Sequence, residues 1–313
     1  MIKLIQGNSL DKLRELGSES IDCCITSPPY FGLRDYKVDG QLGLEPTFQE
    51  YITKLVEVFD QVKRILKHSG SNWVVIGDSY SGGGGEPSNR PDFKTGELSN
   101  EEGWYRRRRR RSKVIKGIRN KSLLMIPERF AINMVDHGWL LRNKIVWHKS
   151  NCMPSSAKDR FTIDWEHVYF FSKSQKYFFE TQYEPFETVD ITKGPKFGGN
   201  RALEYGPKTY SGKEWKPSRN GRIKRCVWTI PTGQFKQAHF AVFPPKLIEP
   251  MVKAGCPTDG TILDPFCGTS TVGLVALKNA RKYIGIDLNP DYLKLSKERL
   301  EPFLSQETLT SFL

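Results

Sequence analysis

A serine, two prolines and a tyrosine stand in succession at Ser27-Pro28-Pro29-Tyr30, directly after the run Ile21-Asp22-Cys23-Cys24-Ile25-Thr26. That run is β-branched and apolar and reads as a short buried strand. Paired prolines fix the backbone and remove two N–H donors, so the carbonyls just past the strand are expected to point outward without partners. A hydroxyl, a free carbonyl and an aromatic ring thus meet at the carboxyl end of a strand, where open α/β sheets bind ligands. The set suits an amino group on a planar ring, with oxygens accepting the amine's hydrogens and the tyrosine stacking on the ring. Alone, the tetrapeptide is equally a Pro-Pro turn leaving a sheet.

A second constellation lies near the other end of the chain. Thr261-Ile262-Leu263-Asp264 reads as a strand and is followed by Pro265-Phe266-Cys267-Gly268-Thr269-Ser270. An apolar-periodic stretch from about Ser270 through Ala280 reads as a helix, and Lys282–Ile286, ending on Asp287, as the next strand. This is a βαβ unit whose acidic residue stands where a carboxylate binds a ribose. Gly268 and Gly273 do not fit G-x-G-x-x-G, and no Gly-Lys-Ser/Thr follows to make a P-loop. What remains is a nucleoside-binding turn, with Asp287 as the ribose ligand and Asp264 near a positive charge. S-adenosylmethionine has a ribose, an amino-acid end and a sulfonium, and fits better than a pyrophosphate.

Together the two sites resemble the amino-methyltransferases of DNA, the N4-cytosine and N6-adenine enzymes. Ser27-Pro28-Pro29-Tyr30 is similar to their catalytic motif and Asp264 through Thr269 to their cofactor motif. Catalytic motif first and cofactor motif last resembles the circularly permuted beta class, over nearly the whole chain. The resemblance implies a Rossmann-like methyltransferase sheet with an inserted target-recognition region. It implies S-adenosyl-L-methionine bound by Asn8, His239, Phe243, Pro244, Asp264, Phe266, Cys267, Gly268, Thr269, Asp287 and Asn289. Asn8 stands where the family usually has Asp. Arg142 through Lys149, and Asp159-Arg160-Phe161 through Glu166-His167, resemble the family's strand region after the catalytic motif.

Composition agrees with such an enzyme. At 313 residues the chain can bury a sizeable core. A formal net charge of +13 suggests a polyanionic partner, here double-stranded DNA. No apolar run reaches the length of a membrane span and no signal-peptide pattern opens the chain, so it reads as cytoplasmic. Its six cysteines show no C-x-x-C spacing, so neither a metal nor a disulfide framework is expected.

Alternating strands and helices indicate an α/β doubly wound sheet. Thr47 and Glu50 form a capping box opening a helix through Lys67, with Gly70 as its stop. Trp73–Gly77 and Val168–Phe171 read as strands, Pro127 to Gly138 frames a helix, and Phe243 to Ala254 reads as another. The reading divides the chain into a catalytic half (1–80), a basic Gly/Arg-rich insertion (81–120), more of the sheet (121–180), a target-recognition region (181–230) and a cofactor-binding half (231–313).

In the first insertion six arginines run together: Arg106, Arg107, Arg108, Arg109, Arg110 and Arg111. Like charges cannot pack together, so a mobile arm gripping phosphates is expected. In the second, Arg201, Arg219, Asn220, Arg222, Lys224 and Arg225 are candidate base readers.

The expected reaction begins with flipping the target base out of the duplex. Tyr30, with Phe31, would stack on it, while Ser27 Oγ and the Pro28 carbonyl hold its amine. Within the resemblance, Ser at the first motif position is commoner in N4-cytosine enzymes and Asp or Asn in N6-adenine ones, which favours cytosine N4. Adenine N6 is the alternative, followed by an RNA substrate or an inactive DNA-binding protein. A separate restriction endonuclease is a further partner, and the chain is expected to be a monomer or homodimer.

Overall fold

A computed structural model of the chain describes residues 1–36, 38–82, 115, 117–155, 157–185, 221–233 and 243–310, the side chains of 304–310 excepted. Most of the two insertions therefore lies outside the described residues.

The core of the molecule is an 8-stranded sheet in the order β1-β10-β9-β2-β3-β5-β4-β8. Its strands are β1 (Ile2–Gln6), β2 (Ile21–Thr26), β3 (Leu66–Ile76), β4 (Leu140–His148), β5 (Trp165–Ser172), β8 (Val227–Thr229), β9 (Thr261–Asp264) and β10 (Lys282–Asp287). β6 (Tyr183–Glu184) and β7 (Arg222–Ile223) pair separately as a small antiparallel ribbon. In the large sheet only β5 runs against the others, antiparallel to both β3 and β4.

The helices are α1 (Ser9–Arg14), α2 (Phe48–Ile65), α3 (Ile126–Asp136), α4 (Pro245–Gly255), α5 (Thr271–Lys278) and α6 (Pro290–Thr310). From the central pair β9/β2 the chain winds outward both ways, β9 through α5 to β10 and β2 through α2 to β3. Right-handed crossovers in opposite directions put their helices on opposite faces. One apolar layer accordingly joins α1, α2 and α3 to the sheet, including Tyr51, Phe59, Phe130 and Phe171. The other joins α4 and α5, with Leu300 of α6, and contains Met251, Val272 and Tyr283. Between β3 and β5 the cross-strand pair Trp73 and Phe170 stacks at 4.0 Å and 8° on this second face. No described helix is long and apolar enough to cross a membrane.

Thr47 caps α2 as expected, its Oγ1 accepting from the Glu50 amide at 3.2 Å. The Glu50 carboxylate takes the Thr47 hydroxyl at 3.1 Å rather than its backbone N–H, so only half of the capping box forms. Gly70 does not stop this helix. α2 ends at Ile65 and the chain turns straight into β3, of which Gly70 is part. Pairing of Ile21 with Leu66 at the start of the ladder draws those residues into the sheet, so local stop signals yield to long-range hydrogen bonds. α4 starts at Pro245 rather than Phe243, because Pro244 is the extended N-cap and Pro245 suits the first turn. α5 spans only Thr271–Lys278, since Ser270 and Ala280 both adopt positive φ, 56° and 57°.

Candidate functional site

β2 and β9 lie side by side, with Cys23 opposite Ile262 and Cys24 opposite Leu263. Two motifs 238 residues apart thereby emerge together at the carboxyl edge of the sheet, on either side of the point where the winding reverses. Thr26 Oγ1 ties them directly, donating to Asp264 Oδ1 at 2.6 Å. A second tie is Ser9 Oγ, which donates to the Pro265 carbonyl at 2.6 Å.

Above this seam lies a cavity. Its walls come from Asn8 and Ser9 after β1, Ser27 and Pro29 after β2, Phe266 and Gly268 after β9, and Asp287, Leu288 and Asn289 after β10. Tyr36, Val38, Gly40, Gln41 and Leu42 from the β2–α2 loop, with Tyr292 of α6, complete it. Tyr36 and Tyr292 meet edge to face at 6.2 Å. Gln41 pins the loop, accepting from the Tyr36 amide at 2.7 Å and donating to the Arg34 carbonyl at 3.1 Å.

At the cofactor-type end, Asp287 accepts from the Gly268 amide at 2.8 Å and from the Asn289 amide at 2.8 Å. Gly268 holds φ +50°, and a side-chain carbon built on it would enter open space. The turn therefore leaves its backbone bare toward the cavity. Asp264 is buried, bonded to Thr26 and to the Phe266 amide at 3.1 Å. Burial, followed by repulsion from Asp287, pushes its carboxyl up to about 7 against those hydrogen bonds. Burial also raises Asp287. Neither carboxylate has a cationic side chain beside it among the described residues, so the positive charge anticipated for Asp264 is not supplied from there.

The other end is built around Tyr30. Its ring lies flat against Gly77 at the end of β3, where an added Cβ would sit 2.6 Å from the ring edge. Only glycine allows this approach. Tyr30 Oη donates to Glu166 Oε2 at 2.8 Å, and Lys149 grips the other carboxylate oxygen. Burial, then the Glu166 charge, raises the Tyr30 phenol well above its ordinary value, so it remains a neutral donor. Ser27, which lines the cavity, neighbours the same phenol. Because a carboxylate only accepts, the Tyr30 proton points to Glu166.

Of the two proline carbonyls, that of Pro29 is not free: Tyr51 Oη donates to it at 2.7 Å. The Pro28 carbonyl has no donor among the described residues. Phe31 is also withdrawn from the expected stacking role. It is buried in the first apolar layer, 5.5 Å from the Tyr51 ring.

Other expected residues are engaged elsewhere in the fold. Asn8 lines it, but its side chain caps α1 by accepting from the Leu10 amide at 2.9 Å. Cys267 and Thr269 are buried behind the turn, where Arg299 donates to the Thr269 carbonyl at 3.0 Å. Phe243 packs on the second apolar layer and Pro244 caps α4. Arg222 and Arg225 both bind Glu184, at 2.8 and 2.9 Å. Burial works against ionising Glu184, but these two hydrogen bonds outweigh it and hold the carboxyl below its usual range. His239, Arg106 through Arg111, Arg201, Arg219 and Asn220 lie outside the described residues.

Sequence reading missed the 36–42 loop, Tyr292 and Gly77. Gly40 and Gly43 do mark a turn-rich loop, but nothing in their spacing says which cavity it covers.

A doubly wound sheet whose central seam joins the glycine turn after β9 to the Pro-Pro loop after β2 around one cavity has the architecture of a ligand-binding α/β enzyme. The N6/N4 DNA methylase family profile matches residues 21–298. The type II methyltransferase M.XycI of Xanthomonas campestris pv. cyanopsidis is 38% identical over 298 residues, covering 95% of this chain and 87% of that protein. Among solved structures, the cytosine-N4-specific PvuII DNA methyltransferase superposes with a TM-score of 0.60 at 23% identity, covering 94% of this chain and 84% of the other. M1.HpyAVI bound to S-adenosylmethionine gives 0.54 at 16% identity, covering 96% and 98%. The chain belongs to the N6/N4 DNA methylase family, and S-adenosylmethionine is its cofactor.

Proposed function

We propose that the chain methylates the exocyclic N4 of cytosine in duplex DNA after flipping the base from the helix. The observation that carries this is the Ser27 hydroxyl on the wall of the cavity, next to a Tyr30 whose phenol is fixed by Glu166 and, through it, Lys149. Beside it stands the unpartnered Pro28 carbonyl. Two neutral acceptors suit the two hydrogens of an amino group, and a short hydroxyl in place of a carboxylate or amide favours cytosine.

The residues present fit S-adenosylmethionine. Asp287 would hold the ribose hydroxyls, Phe266, Tyr36 and Tyr292 the adenine, and the bare turn at Gly268 its amino-acid end. Buried Asp264 and half-buried Asp287, with no cationic side chain beside either among the described residues, favour a positively charged ligand. Bound there, the cofactor supplies an electrophilic methyl group.

What the chain does is prepare the nucleophile. Ring delocalisation makes the amine nitrogen a poor one. Hydrogen bonds from both of its hydrogens, to Ser27 Oγ and the Pro28 carbonyl, favour a tetrahedral nitrogen with a localised lone pair. Tyr30, held against Gly77 and by Glu166, would stack on the base and fix its plane. These dipoles are oriented before the base arrives, so little reorganisation remains for the reaction itself. The methylated nitrogen is then a cationic ammonium centre with two N–H bonds, acidic enough to lose one proton to solvent water without a strong base.

A separate restriction endonuclease is proposed as its partner, in keeping with its likeness to type II methyltransferases. The test is to incubate the protein with S-adenosylmethionine and unmethylated DNA, digest to nucleosides and identify the product by mass spectrometry. N4-methylcytosine is expected. N6-methyladenine would keep the family and overturn the choice of base.

A further inference from the structure

Flipping a base leaves a hole in the stack, and an enzyme that must hold the duplex open gains by filling it. The loop joining β4 to β5, residues 149–164, has the features for that task. It rises from the same sheet edge as Tyr30, and its β5 end leads into Glu166, the residue bonded to the Tyr30 phenol.

Two large apolar side chains stand out on this loop. Phe161 is 97% exposed and Met153 is 88% exposed, whereas Ile223, the next such side chain described, reaches 67%. Looseness does not explain the display, because the loop is tied down on both flanks. At its neck the Lys149 amide donates to the Asp164 carbonyl at 2.7 Å. On one side the Arg160 guanidinium lies 3.5 Å from the Tyr80 ring centre, and Lys121 pairs with Asp159 at 2.8 Å. On the other, Asn151 Oδ1 accepts from the Thr232 amide at 2.7 Å. Arg160 is thus spent on holding the loop while its neighbour Phe161 faces outward. Hydration of two bare apolar groups is unfavourable, so a fixed loop presenting them beside the reacting edge is suited to meet an apolar surface there.

We infer that the β4–β5 loop is the wedge of this enzyme: Phe161, supported by Met153, enters the DNA stack at the position vacated by the flipped base. The occupant is duplex DNA, whose stacked base faces are the apolar surface nearest this edge during the reaction. The inference rests on the proposed base-flipping reading.

The test compares the wild type with Phe161→Ala on two oligonucleotides carrying a site that the wild type methylates. One is fully paired; in the other the target base faces an abasic position, so little pairing energy opposes flipping. On the paired duplex the variant is expected to lose about 10-fold or more in kcat/KM. On the abasic duplex it should come within about 2-fold of the wild type, since the wedge then has little left to do. Phe161→Leu should retain most activity on both. Equal loss on the two substrates, or no loss on the paired one, would overturn the wedge. So would a dimer that dissociates in Phe161→Ala while methylation is unchanged, because the loop would then be a protein contact. A wild type that methylates no DNA would instead overturn the reading on which the wedge depends.

Discussion

The two ends of the central cleft are built on opposite electrostatic plans. At the β9/β10 end, buried Asp264 and half-buried Asp287 are held by backbone amides, Asp287 by two of them. At the β2 end the cavity wall carries the neutral Ser27 hydroxyl, and Glu166, bonded to Tyr30, is paired with Lys149. On the proposed reading the first arrangement binds, because carboxylates favour a polar, cationic ligand in its ground state. The second would activate, because neutral acceptors can draw on an amine's hydrogens without taking its proton outright. A carboxylate placed at Ser27 would bind an amine more strongly. Binding the ground state more tightly does not by itself speed the reaction.

Removing the acceptor should break the contrast most sharply. Ser27→Ala is expected to lower kcat by about 100-fold, the scale for losing one preorganised polar contact. Cofactor affinity, read by calorimetry, should stay within about 2-fold, since Ser27 acts on the amine. Turnover that survives would take Ser27 out of the activating end. Asp287→Ala should do the converse, weakening cofactor binding by about 10- to 100-fold, as expected for a buried charge-assisted contact. An unchanged Kd would remove Asp287 from the ribose.

Gly77→Ala sharpens the comparison from a distance. A methyl there collides with the Tyr30 ring, so kcat is expected to fall about 10-fold through misplacement alone. The cofactor Kd should not move. Equal losses in both would show the two ends to be mechanically linked.

Apart from catalysis, the buried Asp264 predicts a pH dependence of stability. The Asp264 carboxyl is raised from 3.8 to about 7, so the native state keeps a proton that the unfolded chain releases. Stability measured without cofactor should then fall as pH rises from about 4 to about 7 and level off above. Asp264→Asn keeps the acceptor for Thr26 and Phe266 but carries no charge. Its advantage over the wild type should grow through that window to at most about 4 kcal/mol. Urea unfolding at pH 5 and pH 8 would measure it; a constant difference would mean that Asp264 ionises freely.

Much of this was legible in the chain. Ser27 through Tyr30 and Asp264 through Gly268 carry their chemistry in residue type, and the βαβ pattern around Gly268 placed Asp287 correctly at the end of β10. Prolines and glycines are readable because they restrict or free the backbone wherever they occur. The sheet's general winding followed from alternating apolar periodicities.

Tertiary structure alone decided which of those groups were available. Sequence could not say that Tyr51, from α2, would claim the Pro29 carbonyl and leave Pro28 free. Nor could it show that Phe31 would be buried, that Gly77 would be the bed of Tyr30, or that Glu166, paired with Lys149, would fix the Tyr30 phenol. Backbone restriction and apolar periodicity are local properties, carried by each residue and its near neighbours. Hydrogen-bond ownership and burial depend on which distant segments reach an atom first, and that is settled only when β2, β3, β5 and β9 lie side by side.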